Sequence, residues 1–155
     1  MGVEIERKFL VDVKQVEQML AEHRIRPYPM AQAYFFKNEN INMRVRITEN
    51  IMGDDVAVLC IKGRSGSSNV ERSEFEYTIP VADAQEMIVT LPNTQLSKTR
   101  FIVPAGNHSW EIDFFDCMNG LVVAEIELSS IDEQFDIPSW VTEEVTDDVQ
   151  YLNQN

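Results

Sequence analysis

The chain has 155 residues, enough for one domain with a core and too few for two. Thirteen basic against 26 acidic residues give a formal charge of -13, which argues against duplex nucleic acid or an anionic membrane as the main partner. No run approaches the ~20 apolar residues needed to cross a bilayer, and Glu4 and Glu6 arrive before any apolar stretch of a signal peptide could form. Residues 1–155 are therefore read as a single domain, with cytoplasmic residence as the expectation.

Residues 3–11 read as a strand. Asp12 is placed to cap a helix in which Val13, Val16, Met19 and Leu20 recur at helical spacing through about Arg24. Pro27 and Pro29 mark a stiff extended link. Gln32–Lys37, Ile41–Thr48 and Val56–Lys62 follow as strands joined by tight turns. Gly63–Asn69, reading GRSGSSN, is the most loop-like stretch. Glu71–Ile79 is another strand, ended by Pro80, and Asp83 to about Thr90 fits a short helix. Lys98–Val103 and Ser109–Phe115 form a hairpin, Met118-Asn119-Gly120 turns the chain into Leu121–Ser129, and Asp147 is placed to cap a last short helix through Tyr151. About eight strands with short helices and no βαβ repeat predict a mainly β, antiparallel architecture.

The charges in these strands are spaced two apart: Glu4/Glu6/Lys8, Arg44/Arg46, Glu74/Glu76, Lys98/Arg100, Glu111/Asp113 and Glu125/Glu127. Residues at i and i+2 share one face of a strand, and most alternate positions are apolar, such as Ile5 and Phe9 or Ile126 and Leu128. An open sheet would turn the charged face to water. A closed barrel would line a channel with it, the apolar face being covered by helices or a partner chain. The clustering of like signs favours the channel, which then needs compensating charges, water, metal or ligand inside.

Such a channel would gather Lys8, Arg44, Arg46, Lys62, Arg72, Lys98 and Arg100, cations suited to phosphate oxygens. Beside them stand Glu4, Glu6, Glu74, Glu76, Glu111, Asp113, Glu125 and Glu127, carboxylates able to hold Mg²⁺ or Mn²⁺ that bridges to phosphate. These are the parts of metal-dependent attack on a polyphosphate; an internal salt-bridge lattice without ligand is the plainer reading. Other signals are weaker. GRSGSSN lacks the GK[ST] ending of a P-loop. His23 and His108 have no ligand-spaced partners, Trp110 and Trp140 read as packing against the sheet, and Cys60 and Cys117 as buried free thiols.

EIERKF at Glu4–Phe9 carries the ExExK signature of the CYTH superfamily, the triphosphate tunnel metalloenzymes. QAYF at Gln32–Phe35, MRVR at Met43–Arg46, IKG at Ile61–Gly63, RSEFEYTI at Arg72–Ile79, KTRFIV at Lys98–Val103, WEIDFF at Trp110–Phe115, VVAEIEL at Val122–Leu128 and EVTDD at Glu144–Asp148 extend the resemblance in family order. It implies an eight-stranded antiparallel barrel around a charged tunnel. It also implies divalent-metal-dependent hydrolysis of inorganic, thiamine or nucleoside triphosphates, or cyclisation of ATP. Carried onto this sequence, Glu4, Glu6, Glu125 and Glu127 hold metal, and Glu76, with Glu74, positions a second metal and its water. Arg44, Arg46, Lys62, Lys98 and Arg100 hold the triphosphate, and Lys8 approaches Tyr34 to orient or activate water. Glu111 and Asp113 match a family segment.

Within the family the chain resembles the small bacterial inorganic triphosphatases, so tripolyphosphate is the first expected substrate. A class IV-type adenylate cyclase converting ATP to cyclic AMP and pyrophosphate, a thiamine or nucleoside triphosphatase, and a non-catalytic polyphosphate- or nucleotide-binding module are the alternatives. Relatives often pair, and a homodimer would cover the apolar outer face. The end departs from the pattern: relatives continue with a basic segment resembling RYKNxxL, where this chain reads DDVQYLNQN.

Overall fold

In the computed structural model, which describes residues 2–38, 40–50, 52–64, 71–116, 119–148 and 151, the i, i+2 alternation becomes a closed sheet. The elements in chain order are β1 (Gly2–Val11), α1 (Val13–Glu22), β2 (Pro27–Lys37), β3 (Ile41–Thr48), β4 (Val56–Arg64), β5 (Glu71–Ile79), α2 (Val81–Thr90), β6 (Thr94–Ala105), β7 (His108–Phe115), β8 (Val122–Glu127) and β9 (Val141–Glu144). Eight strands are hydrogen-bonded in the order β5-β4-β3-β2-β6-β7-β8-β1, and a β1–β5 pairing closes the ring. Every pairing is antiparallel. The expected eight-stranded barrel with short flanking helices is what the chain forms.

The apolar alternates face outward and need cover. Around β1, β7 and β8, helix α1 lays Val16 and Leu20 against Phe9, Ile112, Ala124 and Ile126. Trp110 anchors this cluster, edge-on to Phe9 at 5.5 Å, Trp140 at 5.2 Å and Phe135 at 5.9 Å. Burying side chains of this kind contributes about 1.5–3 kcal/mol each. Across the barrel, Ala84 of α2 sits on Val45 and Ala57, with Leu59, Ile79 and Met87 at the margin. Both tryptophans pack against the sheet, as their sequence setting suggests.

Several boundaries differ from expectation. Pro27 and Pro29 belong to β2 rather than to a link. The Pro29 carbonyl accepts from Glu49 N at 2.9 Å, so both prolines face the β3 side, where pairing starts only at Met30↔Thr48. Their missing N–H groups fall where the ladder asks for no donor. Helix α1 stops at Glu22, and Arg24 takes a left-handed φ of 51° beyond it; the Asp12 cap holds, its side chain accepting from Gln15 N at 3.1 Å. α2 begins at Val81, with Pro80 as N-cap and Asp83 in its first turn. β6 reaches back to Thr94 because β2 pairs with it from Pro27↔Phe101 through Tyr34↔Thr94.

β9 has no strand pattern of its own. It pairs with β1 across Phe9↔Glu144 and Leu10↔Glu143, on the edge opposite β8. Cys60 is a buried free thiol. Cys117, Met118 of the expected turn, most of the GRSGSSN loop, and Val149 and Gln150 of the last expected helix lie outside the described residues. Among those described, no helix is long and apolar enough to cross a membrane.

Candidate functional site

Closure turns the charged parity inward. Glu4, Glu6, Lys8, Arg44, Lys62, Lys98, Arg100, Asp113 and Glu125 are all buried, Lys8, Lys98 and Asp113 at only 1% exposure. Charged side chains are almost never so enclosed unless paired. A cavity of about 550 Å³ occupies the barrel interior. Its walls include Glu4 and Glu6 from β1, Arg44 and Arg46 from β3, Lys62 from β4, Glu74 and Glu76 from β5, Arg100 from β6, Glu111 from β7, and Glu125 and Glu127 from β8. Of the residues named from sequence, Lys8, Tyr34, Arg72, Lys98 and Asp113 do not line it. Met30, Ile102 and Ser109 do line it and were not singled out. Their signal was positional: each stands two residues from an inward-facing group, Gln32, Arg100 and Glu111 respectively.

The wall charges form a partly satisfied lattice. Lys62 Nζ lies 2.9 Å from Glu4 Oε1, 2.8 Å from Oε2, and 3.7 Å from Glu74. Asp113 is the rear anchor: it accepts from Lys98 Nζ at 2.7 Å and from Arg100 Nε and Nη2 at 2.8 and 2.9 Å. Arg100 also contacts Glu111. Burial, only partly offset by Asp113 and reinforced by Arg100, brings Lys98 down to about 8. Lys8 Nζ reaches the Tyr151 carbonyl at 3.3 Å, Glu125 at 3.9 Å and Glu6 at 4.0 Å. Tyr34 accepts from Gln32 Nε2 at 3.2 Å and hydrogen-bonds Arg44. Lys8 and Tyr34 both feel the charges of Glu125 and Lys62. Arg72 is half-buried, across from Glu4 in the β1–β5 ladder.

Carboxyls crowd one side. Glu6 stands directly across from Glu127, and Glu111 from Glu125, arrangements that destabilise a sheet unless something neutralises them. Burial, together with Glu6, pushes Glu125 up to about 8; burial also outweighs Lys62 and takes Glu4 to about 8. Glu6 goes the other way: burial would raise it, but Lys62, Lys8 and hydrogen bonds from Glu125 and Glu4 hold it well below the usual carboxylate range. A divalent cation among these carboxyls would offset the same repulsion. The all-oxygen donor set suits a hard cation.

A second group, Cys60, Glu74 and Glu76, brings its ligand atoms within 4.8 Å of one another and could hold a metal ion. Burial raises the Cys60 thiol, so the two glutamates are its natural hard-cation ligands.

The cationic side is different. Arg44 Nε and Nη1 and Arg46 Nε are buried with no acceptor among the described residues. Leaving a buried charged donor unpaired costs more than the ~1–3 kcal/mol of a neutral one. Both arginines line the cavity, so an anion entering it would meet their positive charge. His108 sits against Glu133 on the exterior, away from this chemistry.

Known proteins resemble this chain along nearly its whole length. An inorganic triphosphatase of Acetivibrio thermocellus is 36% identical over 157 residues, covering 100% of this chain and 93% of its own. One from Nitrosomonas europaea is 30% identical over 159 residues, with 97% and 94% covered. The crystal structure of an inorganic triphosphatase superposes with a TM-score of 0.60 at 26% identity, covering 99% of this chain and 93% of that one. A Pyrococcus horikoshii protein, 18% identical, shares the fold at a TM-score of 0.63 over 83% and 80% of the two chains. The CYTH domain model matches residues 2–155, which takes in every strand of the barrel and every wall of the cavity, and the chain belongs to the CYTH domain family.

Proposed function

We propose that this protein hydrolyses a triphosphate with the help of a divalent metal, and that inorganic tripolyphosphate, cleaved to pyrophosphate and phosphate, is its first substrate. The observation that carries the reading is a cavity lined by Arg44, Arg46, Lys62 and Arg100 on one side and by Glu4, Glu6, Glu125 and Glu127 on the other. The curated relatives named above as inorganic triphosphatases support it.

In this reading Arg44, Arg46, Lys62 and Arg100 grip phosphate oxygens, with Lys98 and Arg72 adding positive potential from behind the wall. Glu4, Glu6, Glu125 and Glu127 hold Mg²⁺ or Mn²⁺, with Glu74 and Glu76 as a second set; when bound, the metal neutralises phosphate charge and acidifies water. Glu76 helps to place the attacking water from the cavity wall, and Lys8 and Tyr34, which stand behind that wall, orient it through the lining residues Glu125 and Arg44 that they contact. Water adds across one P–O–P bridge, its oxygen going to the phosphorus attacked and a proton to the leaving phosphate. The arginines stabilise charge developing on the transferred group.

The protein works in this scheme as one unit over residues 1–155, resident in the cytoplasm. We also infer a homodimer, for which the half-exposed Val3 and Tyr77 on the outer face are the support. A sedimentation series that holds at 17.8 kDa throughout would reject the dimer.

The test is a panel of tripolyphosphate, thiamine triphosphate and ATP with Mg²⁺ or Mn²⁺. Phosphate release from tripolyphosphate, abolished in Glu4→Gln, is expected. Cyclic AMP from ATP would instead identify a cyclase, and tight binding without any product a binding module.

A further inference from the structure

Gln32 is the least expected member of the interior. It is 1% exposed, on the inward face of β2, flanked in the ladders by Arg46 of β3 and Leu96 of β6. Its Nε2 donates to Tyr34 Oη at 3.2 Å. Arg44, the ladder partner of Tyr34, hydrogen-bonds the same hydroxyl. Its Oε1 is buried without a partner, as are Arg44 Nε, Arg44 Nη1 and Arg46 Nε. The proposed chemistry assigns no task to this amide.

We propose that Gln32 is a positioning residue that fixes the Tyr34 hydroxyl and, through it, aims the Arg44 guanidinium into the cavity. A phenol oxygen has two acceptor sites. With one taken by Gln32 and one by Arg44, the ring is pinned and Arg44 is held by one nitrogen while two others stay open. The position also requires a neutral group. A carboxylate here would lie beside Arg44 and Arg46 and form charge-assisted pairs with the donors left free for phosphate. A lysine or arginine would add a third cation to a cluster in which burial, Arg44 and Arg100 already lower the Arg46 pKa. An amide is polar enough to hold Tyr34 and uncharged enough to leave both arginines open.

This inference deepens the triphosphate reading and rests on it for its kinetic consequence, so it is tested with one readout that needs no substrate. In the free protein, the side-chain ¹⁵N NMR signal of Arg44 Nε, assigned by its loss in Arg44→Lys, is followed in Gln32→Met and Tyr34→Phe. Both variants are expected to shift it in the same direction, and the double variant no further than the larger single one. Kinetically, Gln32→Met should lower kcat/KM for tripolyphosphate about tenfold, with no added loss on top of Tyr34→Phe. Gln32→Glu should raise KM about tenfold or more while leaving the melting temperature at or above that of Gln32→Met. An Arg44 signal unmoved in Gln32→Met overturns the positioning role even if the wild type hydrolyses tripolyphosphate. A shifted signal in a protein with no turnover supports the positioning role and rejects the triphosphatase reading. Kinetic losses that add across the double variant, or a Gln32→Glu enzyme with unchanged KM, also overturn it.

Discussion

Replacing Asp113 by asparagine removes one negative charge from beneath two buried cations. Asp113 and Lys98 are each 1% exposed and Arg100 is 8% exposed. Three charge-assisted hydrogen bonds between 2.7 and 2.9 Å converge on the carboxylate. Asparagine keeps one acceptor oxygen but must present an NH₂ group to a cation. Breaking a buried pair by removing one partner typically costs about 3–5 kcal/mol, mostly because the other charge stays buried and unpaired. For a domain of this size each kcal/mol moves the melting temperature by about 2–4 °C, so about 4 kcal/mol predicts a fall on the order of 8–16 °C. Urea unfolding and calorimetry at neutral pH measure it. Lys98→Met in the same chain removes one stranded cation, so the double variant should recover part of the loss. An Asp113→Asn protein melting within about 3 °C of wild type, or a double variant less stable than the single, would refute the view that Asp113 holds this end of the lattice together.

Other consequences follow from the interior charges. Arg46→Met should lower kcat/KM for tripolyphosphate about a hundredfold, the worth of a charged hydrogen bond at about 2–3 kcal/mol; unchanged kinetics would remove Arg46 from the site. Because Glu4 and Glu125 rise from the ordinary 4.5 to about 8, the folded metal-free protein binds more protons than the unfolded chain between those values. Its stability should therefore fall as pH rises from about 5 to 8, and Mg²⁺ should raise the melting temperature more at pH 8 than at pH 5.5; the opposite order by scanning calorimetry would contradict the carboxyl cluster as the metal site. Thr146→Val removes a hydroxyl that accepts from Lys8 N at 3.0 Å and donates to Glu144 at 2.6 Å. A loss of about 1–2 kcal/mol in urea unfolding is expected, and no loss would show that β9 is held without this pin.

Period-2 alternation was enough to say which side chains share a face, because the pleat leaves no freedom in that assignment. Glu4, Glu6, Arg44, Arg46, Lys62, Glu125 and their neighbours could therefore be grouped before any coordinates, and the crowding of like charges favoured a closed barrel over an open sheet. What alternation cannot carry is register, since it is identical for every even slip of one strand past another. Only the ladders place Glu6 across from Glu127, Tyr34 across from Arg44 and Gln32 across from Arg46. Only they decide that Asp113 satisfies Lys98 and Arg100 while Arg44 and Arg46 keep open donors. β9 was invisible for a related reason: its four residues form a strand because β1 offers a free edge there, not because their own pattern demands it. Gln32 was passed over because a neutral amide makes no charge pattern, and its importance arises only when the closed barrel sets it beside two buried guanidinium groups.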